Sequence, residues 1–236
     1  MCNLSIPPYL VKSKKDRKTM ENILIAGATG HTGKRVIEIL NNSESFNPLA
    51  LIRKEEQRQQ FEDMEVEAVM GDLEGDVSHT MKGIDKVIFA AGSGGSTGKE
   101  KTTAVDLEGA KKLIDAAKNA NVKKFVMLSS MGADDPSKNE DLRHYLEAKK
   151  EADEYLKESG LSYTIFRPGA LTDDLGLAKV KVAKGSLNER GEISRDDVAF
   201  ILVMSLADPL VKNVTFEAIE GEESIKSALI ELSQLG

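Results

Sequence analysis

The chain has 236 residues, 39 of them acidic against 32 basic, a net charge of −7 and 40% hydrophobic content. That length suits one α/β domain with an ample core, while the acidic balance and only 5% aromatic residues, with no Trp, disfavour general binding to nucleic acid or anionic membrane. A single cysteine, Cys2, leaves no internal disulfide framework, and no apolar run approaches the roughly 18–20 residues of a membrane span, so a soluble cytoplasmic protein is expected.

Residues 1–20 mix Ile6-Pro7-Pro8-Tyr9 with the basic run from Lys12 to Lys18 and lack a secretory pattern. They read as a flexible N-terminal extension. The domain is expected over 21–236, with 170–236 contributing a small substrate-side lobe on the same sheet.

From Asn22 onward, apolar runs alternate with amphipathic stretches, the pattern of βαβ units and a parallel sheet. Strands are expected at 22–26, 47–52, 65–70, 85–90, 124–129 and 162–167. Helices are expected near 31–41, 55–62, 101–119 and 141–159, with a short helix or turn at 77–83. Past Pro168, residues 180–185 and 214–219 read as strands. Ser194 caps a helix whose first turn carries Asp196 and Asp197, and a last helix spans 224–235. The fold class is α/β, with a doubly wound, mostly parallel sheet flanked by helices.

The first strand runs into Gly27-x-x-Gly30-x-x-Gly33 and then a helix. Glycines in that position let the backbone turn sharply and approach a pyrophosphate, and the helix start offers free N–H groups to it. Strand before and helix after are the context that makes the triplet a dinucleotide-binding motif. Thr29, His31 and Thr32 lie in the same turn, although His31 could equally be a surface residue at the helix start.

The second strand ends in Arg53-Lys54, where an acidic residue would accept from the ribose of NAD and an arginine accommodates the extra phosphate of NADP. NADP is therefore favoured over NAD, the alternative being two solvated charges facing Glu55 and Glu56. Asp72 and Leu73 follow the third strand near the adenine, and Ala90, Ala91 and Gly92 follow the fourth, beside the ribose and nicotinamide. The glycine-rich stretch 92–98 reads either as a flap over the nicotinamide or as a disordered connection.

With Gly27-x-x-Gly30-x-x-Gly33, Gly71-Asp72-Leu73, Val87 to Gly92, Ser129-Ser130, Tyr145-x-x-x-Lys149 and Arg167-Pro168-Gly169, the chain resembles the short-chain dehydrogenase/reductase superfamily. The likeness is to its atypical, epimerase-related members and covers roughly residues 21 to 220. It implies a Rossmann-type sheet, NAD(P)-linked chemistry at a carbonyl, alcohol or sugar, and a nicotinamide bordered by Pro168 and Gly169.

Tyr145 and Lys149, four apart on a helix, face the same side. An ammonium there favours the phenolate, so Tyr145 can exchange a proton with the substrate oxygen, while Lys149 also holds the nicotinamide ribose. Ser130 would hydrogen-bond the oxygen as it gains charge, and Ser129 would contact backbone or cofactor. Asp106 stands where the superfamily typically has an Asn supporting the lysine, which leaves turnover less secure than binding. His144 is expected to face solvent or a lobe contact, and His79 the loop surface. Three scattered histidines make no metal site.

Two readings follow: an NADP(H)-dependent oxidoreductase that acts on a small carbonyl, alcohol or sugar-like compound, or as an epimerase or dehydratase on a sugar-like substrate, and a non-catalytic NADP(H)-binding redox sensor. The apolar helix 197–206 could support a homodimer or belong to the core.

Overall fold

The computed structural model describes residues 20–92, 98–207 and 211–234. The expected N-terminal extension over 1–19 and residues 93–97 of the glycine-rich stretch lie outside them.

β1 (Glu21–Ala26), β2 (Phe46–Ile52), β3 (Glu67–Met70), β4 (Lys86–Phe89), β5 (Lys124–Leu128), β6 (Tyr163–Pro168) and β10 (Val214–Glu220) form the parallel part of a nine-stranded sheet. Its order is β11-β8-β10-β6-β5-β4-β1-β2-β3. β8 (Lys179–Lys184) runs antiparallel to β10, and β11 (Glu223–Ser224) antiparallel to β8. The last third of the chain thus completes the same sheet. Pro48 sits where β2 has not yet begun to pair with β3, since that ladder starts at Leu49 opposite Glu67, a position that tolerates a missing N–H.

Alternation along β1 distributes the two cores. Ile23 and Ile25 face α1 (His31–Asn41), α6 (Arg195–Met204) and α7 (Ile225–Gln234). Leu24 and Ala26 face α4 (Ala110–Asn119) and α5 (Arg143–Glu158). In α1 the buried Val36, Ile37 and Leu40 recur at helical spacing. In α6 Val198, Ala199, Ile201 and Leu202 are buried in that first core, with Phe200, Val203 and Met204 partly buried against it. Ser194 caps α6 by accepting from the Asp197 N–H at 3.0 Å.

Three departures from the sequence reading have local causes. The expected helix 55–62 divides into a 3₁₀ turn (Glu55–Gln57) and the short α2 (Gln59–Glu62). β3 starts two residues late because Glu65 takes a positive φ of 56° in the turn before it. The helix 101–119 opens as α3 (Lys99–Lys101), passes through a π-helical stretch (Thr102–Gly109) and continues as α4. Two short strands, β7 (Ala170–Thr172) and β9 (Glu192–Ser194), pair in parallel as a small second sheet. Among the described residues no helix is long and apolar enough to cross a membrane.

Candidate cofactor and substrate site

The strand order reverses between β1 and β4, which open a crevice at their carboxyl ends, where open α/β sheets bind ligands. Gly27 leaves β1 with φ +84°, and a Cβ there would stand 2.6 Å from the Ala90 backbone. A Cβ on Gly33 would reach within 2.0 Å of the Gly27 carbonyl oxygen. Only glycine allows this approach of turn, helix and strand. Gly30 caps α1 without a side-chain hydrogen bond, so the helix start is open to an anion.

Two cavities border this turn, and a third adjoins the second at Leu142. The first, about 300 Å³, is lined by Gly27, Thr29, Arg53, Gln57, Asp72, Leu73 and Lys101, among others. Of the two acidic neighbours, Glu55 pairs with Arg58 at 2.5 Å, and Glu56 is exposed. Among the described residues no carboxylate pairs with Arg53. Gln57 accepts from the backbone N–H groups of both Arg53 and Lys54, at 2.9 and 3.0 Å, which shapes the turn. Lys54 is exposed and does not line the cavity.

A second cavity, about 520 Å³, brings together Gly30, His31, Thr32, Ala90, Ser129, Asp106, Tyr145 and Lys149. Ala91 and Gly92 border both cavities. The Lys149 ammonium lies 3.0 Å from Asp106 Oδ1, with both side chains at most 5% exposed. It donates to the Leu128 carbonyl at 3.4 Å and stands 5.6 Å from the centre of the Tyr145 ring. Burial alone would push this ammonium down, but Tyr145, Asp106 and Asp153 outweigh it and hold Lys149 well above the ordinary lysine value. Asp106 reaches the lysine from the π-helical stretch, a distortion frequent at functional sites.

The two serines part company. Ser129 lines the cavity of Tyr145, but its hydroxyl donates to Asp153 Oδ2 at 2.9 Å, and the same oxygen accepts from Arg167 Nε at 2.9 Å. Burial pushes the Asp153 carboxyl up against the pull of Arg167 and Ser129. Among the described residues Ser130 makes one long side-chain bond, to the Met131 carbonyl at 3.3 Å. With Pro168 and Gly169 it lines a third cavity, also about 520 Å³. Pro168 and Gly169 therefore stand beside the neighbouring space rather than in the chamber of Tyr145.

Several lining residues carry no sequence signal of their own. Gln57 and Lys101 border the first cavity, and Lys99, Thr102, Asp141, Leu171 and Arg195 the second. Arg195 is placed by the β7–β9 sheet, pairing with Asp173 at 3.0 Å and donating to the Leu171 carbonyl at 3.4 Å. His144 also lines the second cavity, and its Nε2 lies 3.1 Å from the Lys99 carbonyl and 3.2 Å from Thr103 Oγ1. Its adjacency to Tyr145 was the one available clue. His79 is exposed, with Nε2 2.7 Å from the Met70 carbonyl.

Residues 27–209 match the family model described as NAD(P)H-binding. The chain is 42% identical over 214 residues to the uncharacterized sugar epimerase YhfK of Bacillus subtilis, covering 89% of this chain and 99% of that one. A solved structure from Bacillus halodurans, assigned as a candidate NAD-dependent epimerase/dehydratase, superposes with a TM-score of 0.86 at 37% identity. It covers 90% of this chain and 100% of its own. The oxidoreductase ylbE of Lactococcus lactis follows at TM-score 0.79 and 31% identity, covering 90% and 97%.

Proposed function

The chain belongs to the NAD(P)H-binding family, and from that premise we propose that it is an NADP(H)-dependent oxidoreductase acting on a carbonyl, alcohol or sugar-like small molecule. The observation that carries the proposal is the convergence of Tyr145, Lys149 and Asp106 on a cavity that adjoins the glycine turn.

The residues fit the cofactor. The turn at Gly27 and Gly33 leaves no room for side chains where linked phosphates must approach, and the start of α1 is uncapped. Arg53, with no acidic partner among the described residues, suits the added phosphate of NADP better than the ribose hydroxyl of NAD. When bound, the nicotinamide supplies or accepts a hydride.

The chain supplies the proton. In the reducing direction the Tyr145 hydroxyl donates to the substrate oxygen as charge builds there. Lys149 is charged throughout the neutral range and stands 5.6 Å from the centre of the Tyr145 ring. Asp106 and the Leu128 carbonyl fix the position of that ammonium. Ser129 has committed its proton to Asp153, so it presents lone pairs. The weakly held Ser130 hydroxyl stands on the wall of the adjoining cavity, outside the Tyr145 chamber, so it can donate to a substrate that spans both spaces.

The alternative, a cofactor-binding sensor without turnover, draws on the Asp106–Lys149 pair, which offsets the positive field on Tyr145. One experiment separates the two: NADPH oxidation by wild type and Tyr145→Phe across a panel of carbonyls and quinones. Loss of a positioned acid is expected to lower turnover by about 10²–10⁴-fold. Undiminished activity in the variant removes Tyr145 from the chemistry, and tight NADPH binding without turnover in wild type favours the sensor.

A further inference from the structure

The third cavity holds a group that the proton chemistry does not use. Glu217 on β10 is 1% exposed and lines this space. One carboxylate oxygen, Oε2, accepts from the Leu187 N–H at 2.8 Å, while Oε1 is buried without a hydrogen-bond partner. No cation pairs with it among the described residues. Of the other charged residues around the cavity, Asp135 pairs with Lys138 at 3.3 Å and Glu189 with Lys181 at 2.5 Å, while Asp134 and Arg190 make no ion pair among the described residues. Native folds leave few buried acceptors unsatisfied, and one beside a cavity calls for a donor from outside the chain.

The cavity also says where that donor comes from. It meets the Tyr145 chamber at Leu142, which lines both, and Ser130 stands on its wall. Its wall mixes hydrogen-bonding side chains, among them Ser186, Asn188, Asn139 and Arg190, with the apolar Met131, Leu146 and Ala170. None of the described lining residues is aromatic, so the flat stacking surface that a fused-ring substrate uses is missing.

We propose that this cavity is the distal substrate subsite, that it takes a polyhydroxylated carbon chain, and that the Glu217 carboxylate selects the substrate by accepting from one of its hydroxyls. The proposal rests on the oxidoreductase reading above. It assigns Glu217 to specificity, while proton transfer stays with Tyr145.

The test compares matched aldehydes with the full chain and NADPH: D-erythrose against butyraldehyde, and D-glyceraldehyde against propionaldehyde. A site built to bond a hydroxyl rejects the analogue that lacks it, so wild type is expected to favour the hydroxylated partner by about tenfold or more in kcat/KM. In Glu217→Gln that ratio is expected to fall to about twofold, the loss lying in the KM of the hydroxylated aldehyde. Equal losses on both aldehydes, or an unchanged ratio, overturn the proposal. Should the variant fail to fold by circular dichroism, wild type alone decides, because equal use of both partners refutes the subsite.

Saturation-transfer NMR on the NADP-loaded protein separates this proposal from the reading beneath it. A D-erythrose signal absent for butyraldehyde and lost in Glu217→Gln supports the subsite even where no aldehyde turns over, an outcome in which only the redox reading fails. No signal for D-erythrose, or one indifferent to the substitution, overturns the subsite.

Discussion

Replacing Asp106 by asparagine isolates the ion pair on which the lysine depends. At 3.0 Å and an effective dielectric constant of about 20, the attraction is about 5–6 kcal/mol, or roughly four pKa units. We expect its loss to carry Lys149 below its ordinary 10.5, with burial then opposed only by Tyr145 and Asp153. Breaking a buried pair costs about 3–5 kcal/mol. The introduced amide oxygen still accepts from the ammonium, so the low end is expected: about 3 kcal/mol, or about 6–12 °C in melting temperature for a chain of this size.

The pH dependence carries the sign. In wild type the folded value of Lys149 stands above the unfolded 10.5, so its stabilisation is complete below 10.5 and is lost only as pH rises through the raised folded value. In the variant the folded value stands below the unfolded one. The penalty is then complete at neutral pH and is relieved as pH climbs through that lowered value toward 10.5. Thermal melts followed by circular dichroism at pH 7 and pH 10 should therefore show a wide gap between the two proteins that narrows at the higher pH. A drop below about 2 °C at pH 7, or a gap of equal width at both, refutes the account of Asp106 as counter-charge.

Arg53→Glu should weaken NADP by about tenfold to a hundredfold, the worth of a charge-assisted bond to phosphate, and weaken NAD much less. Calorimetry with both nucleotides checks it, and equal changes for the two remove Arg53 from the site. Gly33→Ala drives a methyl into the Gly27 carbonyl, so nucleotide binding should fall below detection, with a melting temperature lowered by several degrees. Wild-type affinity in that variant would mean the turn is not the phosphate cradle.

The order of elements, the parallel sheet and the glycine turn were legible in the chain because each is a local pattern. Ile23-Leu24-Ile25 leads straight into the turn marked by Gly27, Gly30 and Gly33, a context that reads as a buried strand, and Ser194 followed by Asp197 writes its own cap. The meeting of Tyr145 with Lys149 was equally local, since four residues of helix make one turn.

What neighbours those side chains is set by contacts between distant segments, and there tertiary structure decided. Asp153 claims the Ser129 hydroxyl from 24 residues away, which sets Ser129 and Ser130 to different tasks although they are adjacent in sequence. β7 and β9 are three residues each, too short for a periodic signal, yet their pairing brings Leu171 and Arg195 beside Tyr145. Glu217 reads as one charge in a strand until β10 docks on β6 and β8, burying a carboxylate at the wall of a cavity. Periodicity records which face of an element is apolar; only the packed sheet determines which polar groups are left to meet a ligand.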